Sequence, residues 1–155
     1  CMIHGPGNKG NLNLLYNAVK KGIPYPLKAF HNERSFLGID NLNFMIGEIL
    51  RNKEVPSGVY NFADDEVLST NELVRIISSV LEKKFFSIAI PKVIINGVAV
   101  VGDLIKLPLN SENVQKLTEN YRVSNEKIKE AIGIDKLPYS AEESLQKTIK
   151  SFIKK

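Results

Sequence analysis

Residues 2–27, MIHGPGNKGNLNLLYNAVKKGIPYPL, decide the fold of this chain. Residues 1–4, CMIH, are typical of the end of a buried strand, and the glycines and proline of residues 5–10 then force a turn. Apolar residues recur at helical spacing over residues 11–21, so we predict a helix there, with Gly22 as its C-cap. The two prolines of residues 23–27 exclude a further helix and favour an extended segment.

Outward from this stretch, the sequence alternates short strand candidates with helices. Asp40 is the predicted N-cap of a helix over residues 41–52, whose apolar stripe comprises Leu42, Met45, Ile46 and Ile49. Two capping boxes, Ser69 with Glu72 and Ser140 with Glu143, predict the starts of two more helices. Further helices are predicted over residues 91–105, 111–117 and 125–132, and strands over residues 35–39, 58–63, 85–90 and 121–123. The pattern predicts an irregular α+β fold without a complete parallel sheet.

Composition limits the classes of protein that this chain can be. The 155 residues suffice for a single domain, 1–155, and the 43% hydrophobic content excludes a disordered chain. The net charge of +4 is scattered rather than gathered in a stripe, so no nucleic-acid partner is expected. No apolar run is long enough to cross a membrane. One cysteine and two separated histidines exclude a disulfide and a metal motif, which predicts a cytoplasmic protein.

Three sequence motifs for phosphate, metal or nucleophile chemistry are lacking. The chain has no phosphate-binding P-loop, no HExxH and no GxSxG. The glycine-rich residues 5–10 precede a predicted helix, where backbone N–H groups can face a phosphate. Many such turns only reverse the chain, so the motif alone leaves both readings open.

Four stretches recur, in this order and at this spacing, in one known family. They are residues 2–12 (MIHGPGNKGNL), 22–42 (GIPYPL, then NERSFL and DNL), 60–73 (YNFADD, then LSTNEL) and 123–133 (VSNEK, then IG). Together they resemble the C-terminal, substrate-binding part of extended short-chain dehydrogenases, the NAD-dependent epimerase/dehydratase family. The most similar branch contains UDP-sugar 4-epimerases and UDP-N-acetylhexosamine 4-keto reductases of polysaccharide synthesis.

The resemblance implies an enzyme that transfers hydride at C4 of a nucleotide sugar, as an epimerase, dehydratase or 4-keto reductase. It places the NAD- or NADP-binding Rossmann half and the catalytic Tyr-x-x-x-Lys pair upstream, so the chain alone is expected to bind no cofactor and to be inactive. Tyr16 and Lys20 match the Tyr-x-x-x-Lys spacing, but they follow the Gly-Pro-Gly turn and are interpreted as a chance match. A non-catalytic nucleotide-sugar-binding or scaffold protein of the same fold is the alternative, and a homodimer is left open.

The resemblance also implies the substrate-binding residues. The backbone at Asn11 and Leu12 would contact the pyrophosphate of a UDP-sugar, and Tyr25 with Leu27 would hold the uracil. Arg34 would grip the phosphate with its planar fork of donors, and Lys116 would lie near the ribose. No catalytic, cofactor-binding or metal-binding residue is assigned within the chain.

Several positions depart from the family pattern. His4 stands where many relatives have tyrosine, and Met2 where the epimerases have an asparagine that contacts the sugar. Lys28 replaces a glycine, Ser124 an aspartate and Ile134 a tryptophan. These departures leave the expected fold unchanged and leave the identity of the sugar open.

Overall fold

A computed structural model describes residues 1–84, 87–105 and 110–153, which form seven helices and three short strands. The elements are β1 (Met2–His4), α1 (Asn11–Lys20), β2 (Arg34–Gly38), α2 (Ile39–Arg51), β3 (Val67–Leu68), α3 (Thr70–Val80), α4 (Lys92–Ile105), α5 (Ser111–Thr118), α6 (Glu126–Ile132) and α7 (Ala141–Ile153). The predicted α+β class is confirmed.

Contacts between residues divide the described chain into two units, each built from separate segments. Unit 1 takes its residues from Cys1–Gly10, Arg34–Leu68 and Tyr121–Lys155, and unit 2 from Asn11–Glu33 and Ser69–Asn120. The expectation that residues 1–155 are one domain of a longer enzyme stays a prediction.

The sheet of unit 1 has the order β1-β2-β3. β1 and β2 are parallel, with Met2 opposite Phe36, whereas β2 and β3 are antiparallel, with Arg34 opposite Leu68. Helix α7 packs on β2, and α2 packs against α6 and α7. The apolar core of this unit contains Leu37, Met45, Ile128, Ile132 and Leu137.

Gly38 permits the close approach of β2 to α7. A Cβ atom at this position would lie 2.6 Å from Cβ of Ser144, a distance that real side chains do not tolerate. The end of the strand can therefore touch the helix only where the side chain is missing.

A buried carboxylate connects β2 to α2. Both oxygens of Asp64 accept the Gly38 N–H, at 3.2 and 3.0 Å, and Oδ1 also accepts Nδ2–H of Asn41 at 2.7 Å. Asn41 in turn donates to the carbonyl of Tyr139 and accepts its N–H. Burial nevertheless raises the pKa of Asp64 to about 6, and the nearby Glu66 and Asp65 add to this rise.

His4 faces the same carboxylate from β1. His4 Nδ1 and the Thr148 hydroxyl form a hydrogen bond at 2.9 Å, and the same hydroxyl lies 3.1 Å from the carbonyl of Ser144. Nε2 lies 3.9 Å from Oδ2 of Asp64, and both side chains are fully buried. Burial lowers the pKa of His4 to about 4, so the ring is neutral near pH 7.

Unit 2 is built around the packing of α1 on α3 and of α4 on α5. The predicted capping box at Ser69 and Glu72 is present, and Gly22 ends α1 with a left-handed φ of 71°. Between these helices, Tyr25 and Leu27 form isolated bridges with Ser87 and Ala89, so the proline-containing segment is extended as predicted.

Several predicted elements differ from the structure. Residues 58–63 form no strand, because side chains take the place of a neighbouring strand: Lys127 Nζ donates to the carbonyl of Val59 and Asn125 Nδ2 to that of Ala63. Asp40 does not cap α2, which begins at Ile39 after Gly38. Asp40 instead pairs with Lys147 of α7 at 2.6 Å.

Smaller differences follow from packing and from where the described residues end. Ile46 is exposed, contrary to its predicted place on the buried stripe of α2, whereas Met45 is fully buried. The predicted strand over residues 121–123 is reduced to one bridge between Tyr121 and Arg34. Of the predicted strand over residues 85–90, residues 85 and 86 lie outside the described residues.

We predict opposite pH dependences of stability for His4→Gln and Asp64→Asn. As the pH falls from about 6.5 towards 4, His4 binds a proton in the unfolded chain but not in the folded one. His4 therefore lowers the free energy of unfolding of the wild-type protein in this range. Folded Asp64 is protonated near pH 6 and unfolded Asp64 near 3.8, so this carboxyl adds stability as the pH falls through that range. Relative to wild type, the Gln variant should therefore gain on the order of 2 kcal/mol between pH 7 and 4.5, and the Asn variant should lose a similar amount.

Urea denaturation followed by circular dichroism at both pH values measures these differences. Subtracting the wild-type profile removes the contribution of all other titrating groups. Parallel profiles for the two variants would show that His4 and Asp64 titrate alike in the folded and unfolded chain.

Candidate functional site

An apolar cavity of about 410 Å³ lies within unit 2. It is bounded by one face of α1, by the extended segment after it, and by single residues from α3 and α5. The lining residues are Asn11, Leu14, Leu15, Asn17, Ala18, Val19, Lys21, Ile23, Pro24, Tyr25, Pro26, Leu27, Val74 and Leu117. Its volume is in the range of small-molecule sites in proteins.

The α1 wall of the cavity follows from the apolar residues of this helix. Leu15 and Val19 point to the core and are buried, while Leu14 lies off that stripe and is 53% exposed. Ile23, after the Gly22 turn, is also more than half exposed. Leu14 and Ile23 therefore add exposed apolar surface at the rim of the cavity.

The opposite wall is the segment with Tyr25 and Leu27, whose side chains are buried. The Tyr25 carbonyl accepts the Ile88 N–H at 2.9 Å, and the Leu27 carbonyl accepts the Phe30 N–H at 3.0 Å. Because these carbonyls are already engaged, the two residues contribute mainly apolar surface to the cavity. Burial also raises the pKa of Tyr25 above its ordinary range, so its phenol stays protonated.

Polar groups are few and lie among the α1 residues of the lining. Asn11 opens the helix, Asn17 lies further along it, and Lys21 follows its last turn. The first N–H groups of any helix lack partners within it and carry partial positive charge. The cavity can therefore take a flat, largely apolar group, with an anionic group near Asn11.

The structure brings together three of the six residues predicted to bind substrate. Asn11, Tyr25 and Leu27 line the cavity, and Leu12 is fully buried beside Asn11 in α1. Lys116 lies on α5 in unit 2, where it is exposed and pairs with Glu112, and it does not line the cavity. Arg34 is half-buried at the start of β2 and belongs to unit 1.

The local match to Tyr-x-x-x-Lys lies on α1, as expected. Tyr16 is buried on the apolar stripe of the helix, and Lys20 Nζ lies 5.6 Å from the centre of its ring. A cation over an aromatic ring stabilises a helix surface, and neither residue lines the cavity.

Sequence reasoning missed the lining residues that come from other elements. Val74 and Leu117 reach the cavity only because α3 and the end of α5 pack in this unit, which local patterns do not reveal. Leu14 could have been found, because it is a leucine outside the helical stripe of Leu12, Leu15 and Val19.

The comparisons with known proteins fit this fold. No protein-family model matches the chain. UDP-glucose 4-epimerase from Vibrio cholerae is 29% identical over 153 residues, which are 98% of this chain and 44% of that protein. The chain thus spans less than half the length of this relative.

Solved structures share the fold at lower identity. dTDP-glucose 4,6-dehydratase from Bacillus anthracis, in complex with NAD, matches 98% of this chain and 42% of its own, with a TM-score of 0.63 and 18% identity. UDP-glucose 4-epimerase from Thermotoga maritima, with UDP-glucose, matches 99% of this chain and 44% of its own, with a TM-score of 0.62 and 16% identity. The sequence similarity and the shared fold together support a relationship to the NAD-dependent epimerase/dehydratase family.

No helix within residues 1–84, 87–105 and 110–153 has both the length and the apolar character required to span a membrane.

We predict that Asn32→Ala destabilises the protein more than loss of a helix cap does. Asn32 is buried, donates to the Thr70 hydroxyl at 3.0 Å and to the Leu117 carbonyl at 3.1 Å, and accepts the Thr70 N–H at 3.0 Å. Alanine would remove three hydrogen bonds and leave the buried Thr70 N–H without a partner, although the Thr70 hydroxyl keeps its bond to the Leu117 carbonyl. We expect the change to cost about 3 kcal/mol.

Ser69→Ala is the matched control, because it removes only the cap of α3 and should cost about 1 kcal/mol. Urea denaturation of both variants gives the comparison. Equal losses would show that Asn32 is not a cross-link between α3 and the end of α5.

Proposed function

We propose that this chain is the substrate-binding part of an NAD-dependent enzyme that epimerises, dehydrates or reduces a UDP-sugar by hydride transfer at C4. The observation that carries the proposal is the similarity to UDP-glucose 4-epimerase over nearly the whole chain. The apolar cavity supports it, because three residues that the family resemblance assigns to the substrate line one cavity.

In this proposal, the cavity holds the uracil of the nucleotide. A pyrimidine ring is flat and needs apolar contact on its faces, which Leu14, Tyr25 and Leu27 supply. Backbone groups at Asn11 and Leu12, in the first turn of α1, bind the pyrophosphate, because helix N-termini favour anions. Arg34 and Lys116 enter the proposal through the sequence resemblance, as ligands of the phosphate and the ribose.

The nicotinamide cofactor is placed outside these residues. Gly5, Gly7 and Gly10 match the spacing of G-x-G-x-x-G between β1 and α1. However, a Cβ atom at Gly10 would meet nothing within 4 Å, whereas the third glycine of a dinucleotide motif allows the helix to pack closely on the strand. The residues present do not fit a dinucleotide site, so we derive no step through NAD or NADP. The chemistry that this chain supplies is binding, orientation and exclusion of water, which together fix a substrate relative to a reacting group.

The wider setting of the proposed enzyme follows the family resemblance. We place it in the cytoplasm, as an isomerase or oxidoreductase of surface polysaccharide or sugar-nucleotide biosynthesis. Its proposed partners are a UDP-linked sugar and the Rossmann half of the same enzyme, and its association as a homodimer stays a prediction.

We predict that Ala18→Phe weakens binding of UDP at least tenfold. Ala18 lines the cavity on α1, so a phenyl ring there would occupy the space that the proposal assigns to the uracil. Titration calorimetry with UDP measures the affinity. The matched control is Val59→Phe, which adds the same ring at an 82% exposed position of unit 1 and should bind UDP as wild type does. If Ala18→Phe binds UDP with unchanged affinity, the uracil does not bind in this cavity.

A second prediction concerns Arg34. If Arg34 binds the pyrophosphate, Arg34→Ala removes a charge-assisted contact and costs on the order of 2–5 kcal/mol of binding, a loss of affinity of about 30-fold or more. Arg34→Lys should recover only part of this loss, because a point charge does not reproduce the guanidinium fork.

Arg51→Ala is the control for this experiment. Arg51 is an exposed arginine of the same unit whose partner is Glu48, and its loss should leave UDP affinity unchanged. If Arg34→Ala binds UDP with an affinity within about threefold of wild type, Arg34 does not bind the pyrophosphate and its role is purely structural.

A further inference from the structure

A second cavity of unit 2, about 530 Å³ in volume, has a different chemistry. It is formed by the segment before β2, by one face of the first turns of α3, and by Ser87. Its lining residues are Lys28, His31, Ser69, Asn71, Glu72, Arg75 and Ser87, none of which lines the apolar cavity. Neither the sequence resemblance nor the proposed function assigns a role to it.

Two asparagines fix the walls of this cavity. Asn71 Nδ2 donates to the carbonyl of Phe30 at 3.0 Å and to that of Lys28 at 3.4 Å. Asn32 accepts the Thr70 N–H and donates to the Thr70 hydroxyl. The residues on either side of His31 are therefore tied to the first turn of α3, so the position of this segment does not depend on a ligand.

The charges along these walls do not cancel. Lys28 and Arg75 carry full positive charges, and His31 adds a further nitrogen donor or acceptor. Glu72 is the one acidic residue of the lining, and its Oε2 already accepts the Ser69 N–H at 2.7 Å and the Ser69 hydroxyl at 2.8 Å. These bonds hold the pKa of Glu72 below its ordinary value, and the charge of Arg75 contributes to the same shift. Arg75 therefore lies near the Glu72 carboxylate, and the positive charge of Lys28 has no acidic counterpart among the lining residues.

We propose that this cavity binds the phosphoryl group of a small phosphorylated molecule through Arg75 and Lys28. The guanidinium presents parallel N–H donors that match two phosphate oxygens, and the ammonium of Lys28 adds a point charge from the facing wall. The volume accommodates a phosphate monoester or a diphosphate with a small organic group attached. The site is independent of the apolar cavity, because the two share no lining residue.

The experiment is an NMR titration of the 155-residue chain with inorganic phosphate, pyrophosphate and uridine, each added separately. Phosphate and pyrophosphate should shift the backbone amides of Lys28, Asn71 and Arg75 along saturable curves, and added sodium chloride should weaken the binding because salt screens the charges. Uridine, which has no phosphate, should leave the amides of Asn71 and Arg75 unchanged.

Variants at the two cations test their roles. Arg75→Gln and Lys28→Gln should each weaken pyrophosphate binding about fivefold or more. Both positions are exposed, and thermal melts of the free variants confirm that they fold. Lys53→Gln removes an exposed lysine of unit 1 and should change pyrophosphate affinity less than twofold.

The outcomes separate this inference from the proposed function. Saturable shifts at Lys28, Asn71 and Arg75 that both variants weaken support the phosphoryl site, even if Ala18→Phe leaves UDP binding unchanged and the nucleotide proposal fails. The inference is overturned if neither anion shifts these amides, or if Arg75→Gln and Lys28→Gln bind pyrophosphate as Lys53→Gln does.

Discussion

The carboxylate of Asp64 is the group on which unit 1 depends. It lies in the interior, where a charge without donors would cost several kcal/mol, and it is satisfied by the Gly38 N–H and the amide of Asn41. These donors come from the end of β2 and the first turn of α2, so the carboxylate links the strand to the helix that follows it. Asn41 extends the same network to the backbone of Tyr139, just before α7.

Buried side-chain amides bind backbone groups that long neighbouring strands would bind in a larger sheet. Asn125 donates to the carbonyl of Ala63 and to Asp65, and Asn32 joins Thr70 to Leu117. Each amide offers two donors and one acceptor on a short stem, so one residue can satisfy backbone groups of two distant segments. This explains how a chain whose described strands are at most five residues long keeps its irregular segments in place.

Local signals allowed most of the helices to be predicted from the sequence. The boxes at Ser69 with Glu72 and at Ser140 with Glu143 are contacts between residues three apart, so the sequence contains all of their information. Residues 58–63 alternate like a strand, but the groups that bind their backbone come from Asn125 and Lys127, more than 60 residues away. No local pattern could distinguish that arrangement from a sheet.

The candidate site could also be predicted only in part from the sequence. The resemblance identified Asn11, Tyr25 and Leu27, which do share a cavity, because family motifs preserve relations between distant segments. It did not identify Val74 or Leu117, which reach the cavity through helix packing. The second cavity was also missed, since Lys28, His31 and Arg75 look like ordinary surface residues until Asn71 and Asn32 bring their segments together.

The discontinuous make-up of unit 1 has a consequence for the order of folding. His4 meets Thr148 across 144 residues, and β2 is covered by a helix from the end of the described chain. On a ribosome, unit 2 can assemble once Asn120 has emerged, whereas the first strand must wait for α7 before its histidine and the apolar face of β2 are covered. During that interval the apolar face of β2 is exposed to other chains, so unit 1 is the part of this protein that a chaperone has most reason to bind.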